Sequence, residues 1–164
     1  MDIESFLREH GISFQKFEHP AVFTCEESER LCPPMPGVHT KNLFLRNEKG
    51  QRYFLVVVST KKRVDLKALK ALLGVSKLSF GAEDKMIEYL GVGAGSATVL
   101  GAVMDREGQV EVVLDEEIWN AKQIGCHPLR NTATVVIAHT GLETFLKAVK
   151  HQPRVLLVPE RSGQ

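Results

Sequence analysis

The chain has 164 residues, of which 43% are hydrophobic and 25% charged, so it is long enough to bury a core and too apolar to be disordered. Its 21 Lys and Arg against 20 Asp and Glu leave a net charge of +1, which excludes strong non-specific attraction to DNA. No apolar run approaches the roughly 20 residues that span a bilayer, so we expect one cytoplasmic domain over residues 1–164 with no membrane partner.

The first half of the chain combines two short helices with extended segments. Apolar residues recur at helical spacing from Ile3, and Thr24 and Glu27 have the spacing of a capping box. In chain order we expect a helix from Ile3 to Gly11, an extended segment over 13–18, a helix from Thr24 to about Leu31, a proline-rich loop over 32–37, and an antiparallel hairpin of strands 42–46 and 52–59.

The second half of the chain alternates helices and strands. Asp65 is a helix cap, and Thr140 and Glu143 match a second capping box. In chain order we expect a helix from Asp65 to Leu73, a helix from Ala82 to Leu90, a hairpin of strands 98–104 and 109–114, a strand over 132–138, a helix from Thr140 to about Lys150, and a strand over 154–158. These elements predict a mixed α/β fold of the α+β class, with a mainly antiparallel sheet and helices packed on it.

Residues 91–98 form a glycine-rich segment between a predicted helix and a predicted strand. A dinucleotide-binding fingerprint follows a strand and opens a helix with the spacing G-x-G-x-x-G, so this segment does not match it. Its closely spaced glycines allow backbone N–H groups near Gly95 and Ser96 to approach a bound oxygen. From the spacing alone, a loop that binds an oxyanion or a ribose hydroxyl and a flexible turn are both open.

Histidine and cysteine spacing indicates no metal site and no covalent catalysis. None of the six histidines forms an HxxxH pair and the three cysteines form no CxxC pair, so neither a zinc site nor a disulfide is expected. A GxSxG nucleophile motif is absent as well. His127 lies in a loop between strands and Lys41 opens a strand, and by position alone both types of residue are more often structural or exposed than catalytic.

Two segments carry a resemblance to a known family. Residues 36–45, Pro-Gly-Val-His-Thr-Lys-Asn-Leu-Phe-Leu, and residues 125–134, Gly-Cys-His-Pro-Leu-Arg-Asn-Thr-Ala-Thr, resemble motifs of the YbaK and prolyl-tRNA-synthetase editing-domain superfamily. The chain is most similar to the freestanding branch that deacylates alanyl-tRNA(Pro), with the same element order over about residues 2–158. Val99 stands where the family usually has the proline of a Gly-x-x-x-Pro loop.

The resemblance assigns roles to individual residues. It makes Lys41 the catalytic lysine that engages the phosphate of the terminal adenosine. It makes His127 an active-site residue that orients the substrate or the attacking water. The substrate-binding residues that it implies are Asn42, Asn131, Gly95 and Ser96.

The activity implied by the resemblance is hydrolysis of the ester of mischarged alanyl-tRNA(Pro) by a proofreading enzyme that uses no metal and no cofactor. Its partner would be the acceptor end of tRNA(Pro), and a complex with prolyl-tRNA synthetase is left open. The alternatives are the same reaction on seryl-, cysteinyl- or 2-aminobutyryl-tRNA, or a non-catalytic tRNA- or protein-binding module on the same fold.

Selectivity and tRNA binding add two further expectations. A roomy apolar pocket would favour proline over alanine, so the exclusion of proline must be steric, and Leu31 and Phe44 are the candidate wall residues. The basic run of residues 61–63 is expected either to supply auxiliary phosphate contacts or to be ordinary solvated surface.

Overall fold

A computed structural model describes residues 1–93 and 95–162 of the chain. These residues form six α-helices, one 3₁₀ helix (Val99–Met104) and eight strands. The α-helices are α1 (Ile3–Glu9), α2 (Cys25–Leu31), α3 (Leu66–Leu73), α4 (Glu83–Leu90), α5 (Glu116–Asn120) and α6 (His139–Ala148). The strands are β1 (Phe14–Glu18), β2 (Val38–Asn47), β3 (Tyr53–Ser59), β4 (Leu78–Phe80), β5 (Val110–Asp115), β6 (Gln123–Cys126), β7 (Ala133–Ala138) and β8 (Arg154–Leu156). No helix in this part of the chain is long and apolar enough to cross a membrane.

The strands join one mixed sheet in the order β1-β7-β6-β2-β3-β5-β8, and β4 pairs with β2. The pairs β1/β7, β6/β7, β2/β3 and β2/β4 are antiparallel. The pairs β2/β6, β3/β5 and β5/β8 are parallel. The predicted mixed α/β fold is therefore confirmed, but the prediction of a mainly antiparallel sheet is wrong. The assignment of residues 1–164 to a single domain stays a prediction.

The error about the sheet comes from the hairpin predicted for 98–104 and 109–114. Residues 99–104 form the 3₁₀ helix instead, and the Thr98 hydroxyl caps it by accepting a hydrogen bond from the N–H of Leu100 at 3.2 Å. This helix is buried almost throughout, and a short apolar run has the same sequence pattern whether it is a buried helix or a buried strand. Without that hairpin partner, β5 runs parallel to β3.

Strand β3 lies in the middle of the sheet and is buried on both faces. Leu55 and Val57 belong to the apolar cluster that includes residues of α4 and α6, whereas Phe54 and Val56 belong to the cluster that includes residues of α3. Successive side chains of a strand point to opposite faces, so a strand covered on both sides has to be apolar throughout. Because β2 pairs along its length with this fixed strand, the register of β2 is fixed as well.

The predicted helices are present, and two of them have the predicted caps. Thr24 Oγ1 accepts a hydrogen bond from the N–H of Glu27 at 3.0 Å, and Asp65 caps α3 in the same way. The capping box predicted at Thr140 and Glu143 is wrong, because α6 begins at His139 after Ala138 and has no side-chain cap. Helix α5 and strands β4 and β6 are unpredicted, since none is longer than five residues and periodicity cannot identify such short elements.

A buried ion pair ties the end of α6 to the turn before β5. His151 Nε2 lies 3.3 Å from Oδ2 of Asp105, whose carboxylate also accepts hydrogen bonds from the N–H groups of Gln109 and Val110. The hydrogen bond to Asp105 raises the pKa of His151. Burial alone would raise the pKa of Asp105, but the hydrogen bonds from His151 and the two N–H groups outweigh it and lower that pKa.

This ion pair predicts a pH dependence of stability with a definite sign. Because the pKa of His151 is raised above 6.5, its contribution is complete below pH 6.5 and is lost as pH rises through the folded-state pKa. The pKa of Asp105 is lowered below 3.8, so its contribution is lost as pH falls through that lowered value. We expect His151→Ala to reduce the free energy of unfolding by about 2 kcal/mol at pH 6 and by clearly less at pH 9. Denaturant unfolding of both proteins across this range measures the difference, and a pH-independent difference would contradict the role of the pair.

Candidate functional site

A cavity of about 150 Å³ opens where β2, β6, the start of α2 and the glycine-rich segment meet. Its lining comes from residues 22–25 and Ser28, from Met35, from 39–42 of β2, from Thr60, from Gly95 and Ala97, from 125–127, and from Thr134. The cavity therefore contains residues of both segments that carry the family resemblance, including Lys41, Asn42 and His127. Among the described lining residues there is no carboxylate.

His127 follows β6 and presents one free ring nitrogen. Its Nδ1 lies 3.1 Å from the carbonyl oxygen of Ala133, and because a carbonyl only accepts, Nδ1 carries the hydrogen and Nε2 the lone pair of the neutral ring. Burial lowers the pKa of His127, the bond to Ala133 opposes this, and the nearby His19 lowers it further. The ring is therefore neutral near pH 7 and can accept a hydrogen bond or a proton.

Lys41 contributes a half-buried ammonium group to the cavity. It lies on β2 opposite Val58 of β3, so its backbone is held within the sheet. Its ammonium forms no ion pair within residues 1–93 and 95–162. A cation in this position attracts an anionic group such as a phosphate.

Asn42 joins β2 to the glycine-rich segment. Its Nδ2 donates a hydrogen bond to the carbonyl oxygen of Ala97 at 3.2 Å. Its Oδ1 is buried and has no hydrogen-bond partner in the part of the chain that the structure describes. A buried acceptor without a partner is costly, so this oxygen is a point of the cavity wall where the described part of the fold supplies no donor.

The glycine-rich segment approaches the cavity at Gly95, which only glycine can occupy. Gly95 has φ +85°, and an added Cβ would lie 2.6 Å from Cδ1 of Phe23 and 3.3 Å from Nδ2 of Asn131. Asn131 is not a lining residue, because its Nδ2 donates to the carbonyl oxygen of Val22 and so holds the wall from behind. Ser96 is not a lining residue either, and its N–H donates to the carbonyl oxygen of Gly93 rather than pointing to a ligand.

Leu31 and Phe44, the expected wall against proline, both lie outside the cavity. Phe44 is on the same face of β2 as Asn42 but two residues further along, a displacement of about 6.6 Å that places it in the core. Its ring stacks on Tyr53 with the centroids 5.4 Å apart. Leu31 is the last residue of α2, is 37% exposed and does not reach the lining. Position in the sequence alone could not show which apolar residues line the cavity and which, like Leu31 and Phe44, lie outside it.

The basic run of residues 61–63 does not act as a single surface patch. Lys62 Nζ lies 2.8 Å from Oδ2 of the fully buried Asp115 and donates to the carbonyl oxygen of Val158 at 2.8 Å. This lysine therefore anchors the C-terminal segment to the sheet, and it is not available for a phosphate. Lys61 is exposed and lines a groove of about 520 Å³ next to the cavity.

Two alternative chemistries, metal binding and nucleophilic attack by the Cys126 thiolate, are disfavoured at the cavity. The described residues contain no group of three or more His, Cys, Asp or Glu side chains placed to hold a metal ion. Cys126 lines the cavity, but burial raises the pKa of its thiol to about 12, so it is not a thiolate nucleophile. The arrangement therefore favours binding an anionic molecule and orienting a water.

Comparison with known families identifies the family of this chain. Residues 19–145 match the family model of the aminoacyl-tRNA editing domain, and the chain belongs to this family. The matched segment includes both motifs on which the resemblance was based, 36–45 and 125–134. The family predicted from the sequence is thus confirmed.

Individual relatives cover nearly the whole chain. Prolyl-tRNA editing protein ProX of Acetoanaerobium sticklandii is 37% identical over 142 residues, which are 87% of each chain. Prolyl-tRNA synthetase associated domain-containing protein 1 of Danio rerio is 38% identical over 157 residues, or 94% of this chain and 85% of that protein. The crystal structure of a candidate trans-editing enzyme for prolyl tRNA synthetase matches with a TM-score of 0.69 and 20% identity, over 98% of this chain and 96% of that one. At this identity, the structural likeness shows the shared fold.

The electrostatic environment of His127 gives a direct prediction. We expect its imidazole to titrate below pH 6.5, because burial and the neighbouring His19 disfavour the charged ring more than the Ala133 carbonyl favours it. Histidine NMR signals followed over pH 4–8 measure the midpoint, and the variant His127→Gln assigns the signal. The same titration in denaturant gives the unfolded reference, and a folded-state midpoint at or above that reference would contradict the assignment.

Proposed function

We propose that this chain hydrolyses the ester that joins alanine to tRNA(Pro), as a freestanding editing enzyme that acts in trans. The observation that carries the proposal is the cavity, where an unpaired ammonium, a neutral imidazole and an unpartnered amide oxygen come together. Family membership supports the reaction, and the name of the Acetoanaerobium sticklandii relative supports the choice of tRNA. The partner is then the acceptor end of tRNA(Pro), and a complex with prolyl-tRNA synthetase is a separate extension of the proposal.

The size of the cavity supports a small amino acid. Its volume of about 150 Å³ is below the roughly 300–1,000 Å³ of sites that enclose drug-sized ligands. The groove of about 520 Å³ adjoins it and shares five lining residues with it, namely Cys25, Ser28, Met35, His39 and Thr60. We assign the apolar part of the cavity to the aminoacyl group, and the part lined by Lys41, together with the adjoining groove, to the terminal nucleotide.

In the proposed reaction Lys41 binds the phosphate of the terminal adenosine and so holds the ester in place. The oxygen of a water adds to the ester carbonyl carbon, the bond from that carbon to the 3′-oxygen breaks, and the 3′-oxygen takes a proton from the water. The products are the free amino acid and a tRNA with a free 3′-hydroxyl. His127 orients the water by accepting a hydrogen bond at Nε2, and the reaction requires no metal or cofactor.

Selectivity against proline requires a wall formed by residues other than Leu31 and Phe44. The apolar side chains that line the cavity are Val22, Phe23, Met35, Ala97 and Cys126. Packed side chains yield little, so a group larger than a methyl meets a steric cost of about 1–3 kcal/mol. We assign the exclusion of proline to this apolar part of the lining.

The decisive experiment is deacylation of tRNA(Pro) carrying alanine, proline, serine, cysteine or 2-aminobutyrate, measured side by side with the wild-type protein. We expect alanyl-tRNA(Pro) to be hydrolysed at least about tenfold faster than prolyl-tRNA(Pro), the ratio that corresponds to the lower part of that steric cost. Equal rates on both would contradict editing. Activity on the seryl or cysteinyl ester alone would change the substrate, and binding of tRNA without any turnover would indicate a non-catalytic module.

Lys41 gives the most specific test of the mechanism. We expect Lys41→Ala to reduce deacylation by about 100-fold or more, because no other described lysine or arginine lines the cavity. Lys41→Arg should restore only part of the activity, since a planar guanidinium does not reproduce a compact ammonium. Lys49→Ala is the matched control, because Lys49 is an exposed lysine in the turn at the other end of β2. A folded Lys41→Ala protein with normal turnover would contradict the proposed role.

A further inference from the structure

A second histidine, His19, is buried next to the cavity and is connected to one of its lining residues. His19 lies just after β1, and its Nε2 is 2.9 Å from the hydroxyl oxygen of Thr134 on β7. Thr134 lines the cavity, and both residues are less than a tenth exposed. The rings of His19 and His127 are separated by 6.3 Å between centroids. The family resemblance assigns no role to His19 or to Thr134.

The hydrogen-bond partners of His19 determine which way the Thr134 hydroxyl points. His19 Nδ1 lies 2.9 Å from the carbonyl oxygen of Pro20, which only accepts, so Nδ1 carries the ring hydrogen. Nε2 of the neutral ring is then an acceptor, and the Thr134 hydroxyl must donate its hydrogen to it. The lone pairs of the Thr134 oxygen are left free to accept hydrogen bonds from another donor.

The rotamer of Thr134 is fixed on its other side by β6. A Cβ added to Gly125 would lie 3.2 Å from Cγ2 of Thr134, so the methyl group occupies the space left by the missing side chain. The methyl packs against β6 while the hydroxyl bonds to His19, and the backbone of His19 is held by its N–H bond to the carbonyl oxygen of Thr132. The position of the Thr134 oxygen is therefore determined by contacts on two sides.

We propose that His19 is a positioning residue that holds the Thr134 hydroxyl as a hydrogen-bond acceptor for the attacking water. This inference rests on the proposed function, because it concerns the water of the ester hydrolysis. The water donates one hydrogen to Thr134 Oγ1 and the other to His127 Nε2. Its oxygen lone pair then forms the bond to the ester carbonyl carbon, the bond to the 3′-oxygen breaks, and the proton accepted at His127 passes to the 3′-oxygen. The second water proton leaves as the amino-acid carboxyl group ionises.

The test is a double-mutant cycle with single-turnover deacylation of alanyl-tRNA(Pro). We expect Thr134→Val, which keeps the shape but removes the oxygen, to lower the rate at saturation about tenfold with little change in KM. Thr134→Ser should retain most of the activity, because the hydroxyl is kept. His19→Leu should have an effect similar to that of Thr134→Val, and the double variant should be no slower than either single variant, since the two residues act as one unit.

Two further variants keep the test informative. His19→Gln offers an amide oxygen as the acceptor in place of Nε2 and should be partly active even if His19→Leu does not fold. Thr144→Val makes the same substitution at an exposed position of α6, outside the cavity and away from His19, and should behave as wild type. Wild-type rates in Thr134→Val, equal losses in Thr134→Val and Thr134→Ser, or additive losses in the double variant would each overturn the inference while leaving the proposed function intact. A wild-type protein inactive on every ester would instead overturn the proposed function, and with it this role.

Discussion

The site depends on strand β2 pairing with β6 at its start and with β3 over most of its length. Val38 and His39 pair in parallel with β6, whereas the residues from Thr40 onward pair antiparallel with β3. Where the pairing changes, Thr40 Oγ1 donates a hydrogen bond to the carbonyl oxygen of Gly125 at 2.6 Å. Lys41 is therefore next to the strand that leads directly to His127. A slip of β2 by one residue would move its side chains to the opposite face, so the apolar β3 that fixes the register also fixes the site.

The walls of the cavity are held by side chains that donate hydrogen bonds to backbone carbonyls. These bonds run from Asn42 to Ala97, from Asn131 to Val22 and from His127 to Ala133. Each carbonyl belongs to a different segment, so the glycine-rich segment, the segment before α2 and the start of β7 are attached separately. Groups fixed in this way need little rearrangement when charge develops on a substrate, which is the condition for electrostatic stabilisation of a transition state.

Local signals in the sequence predicted five of the six described α-helices, the caps at Thr24 and Asp65, and the two motifs that bring Lys41 and His127 to one cavity. The rest depends on contacts between residues distant in sequence. The segment 98–104 has the apolar pattern of a strand, and only its packing within the core makes it a 3₁₀ helix. Phe44 has the position of a wall residue but stacks on an aromatic ring of β3. Lys62 belongs to a basic run, and its buried carboxylate partner comes from the end of β5.

The distribution of charge separates the structural part of the molecule from the functional part. Two buried charged pairs lie outside the cavity, and in each the side chain has a partner of opposite charge: Lys62 pairs with Asp115, and His151 pairs with Asp105. Lys41 is half-buried without such a partner in the described part of the chain, and no carboxylate lines the cavity there. Because Lys41 has no carboxylate to pair with there, an anion that enters the cavity meets an uncompensated cation. Under the proposed function that anion is the phosphate of the terminal adenosine, so the absence of an ion pair at Lys41 leaves its charge available to the substrate.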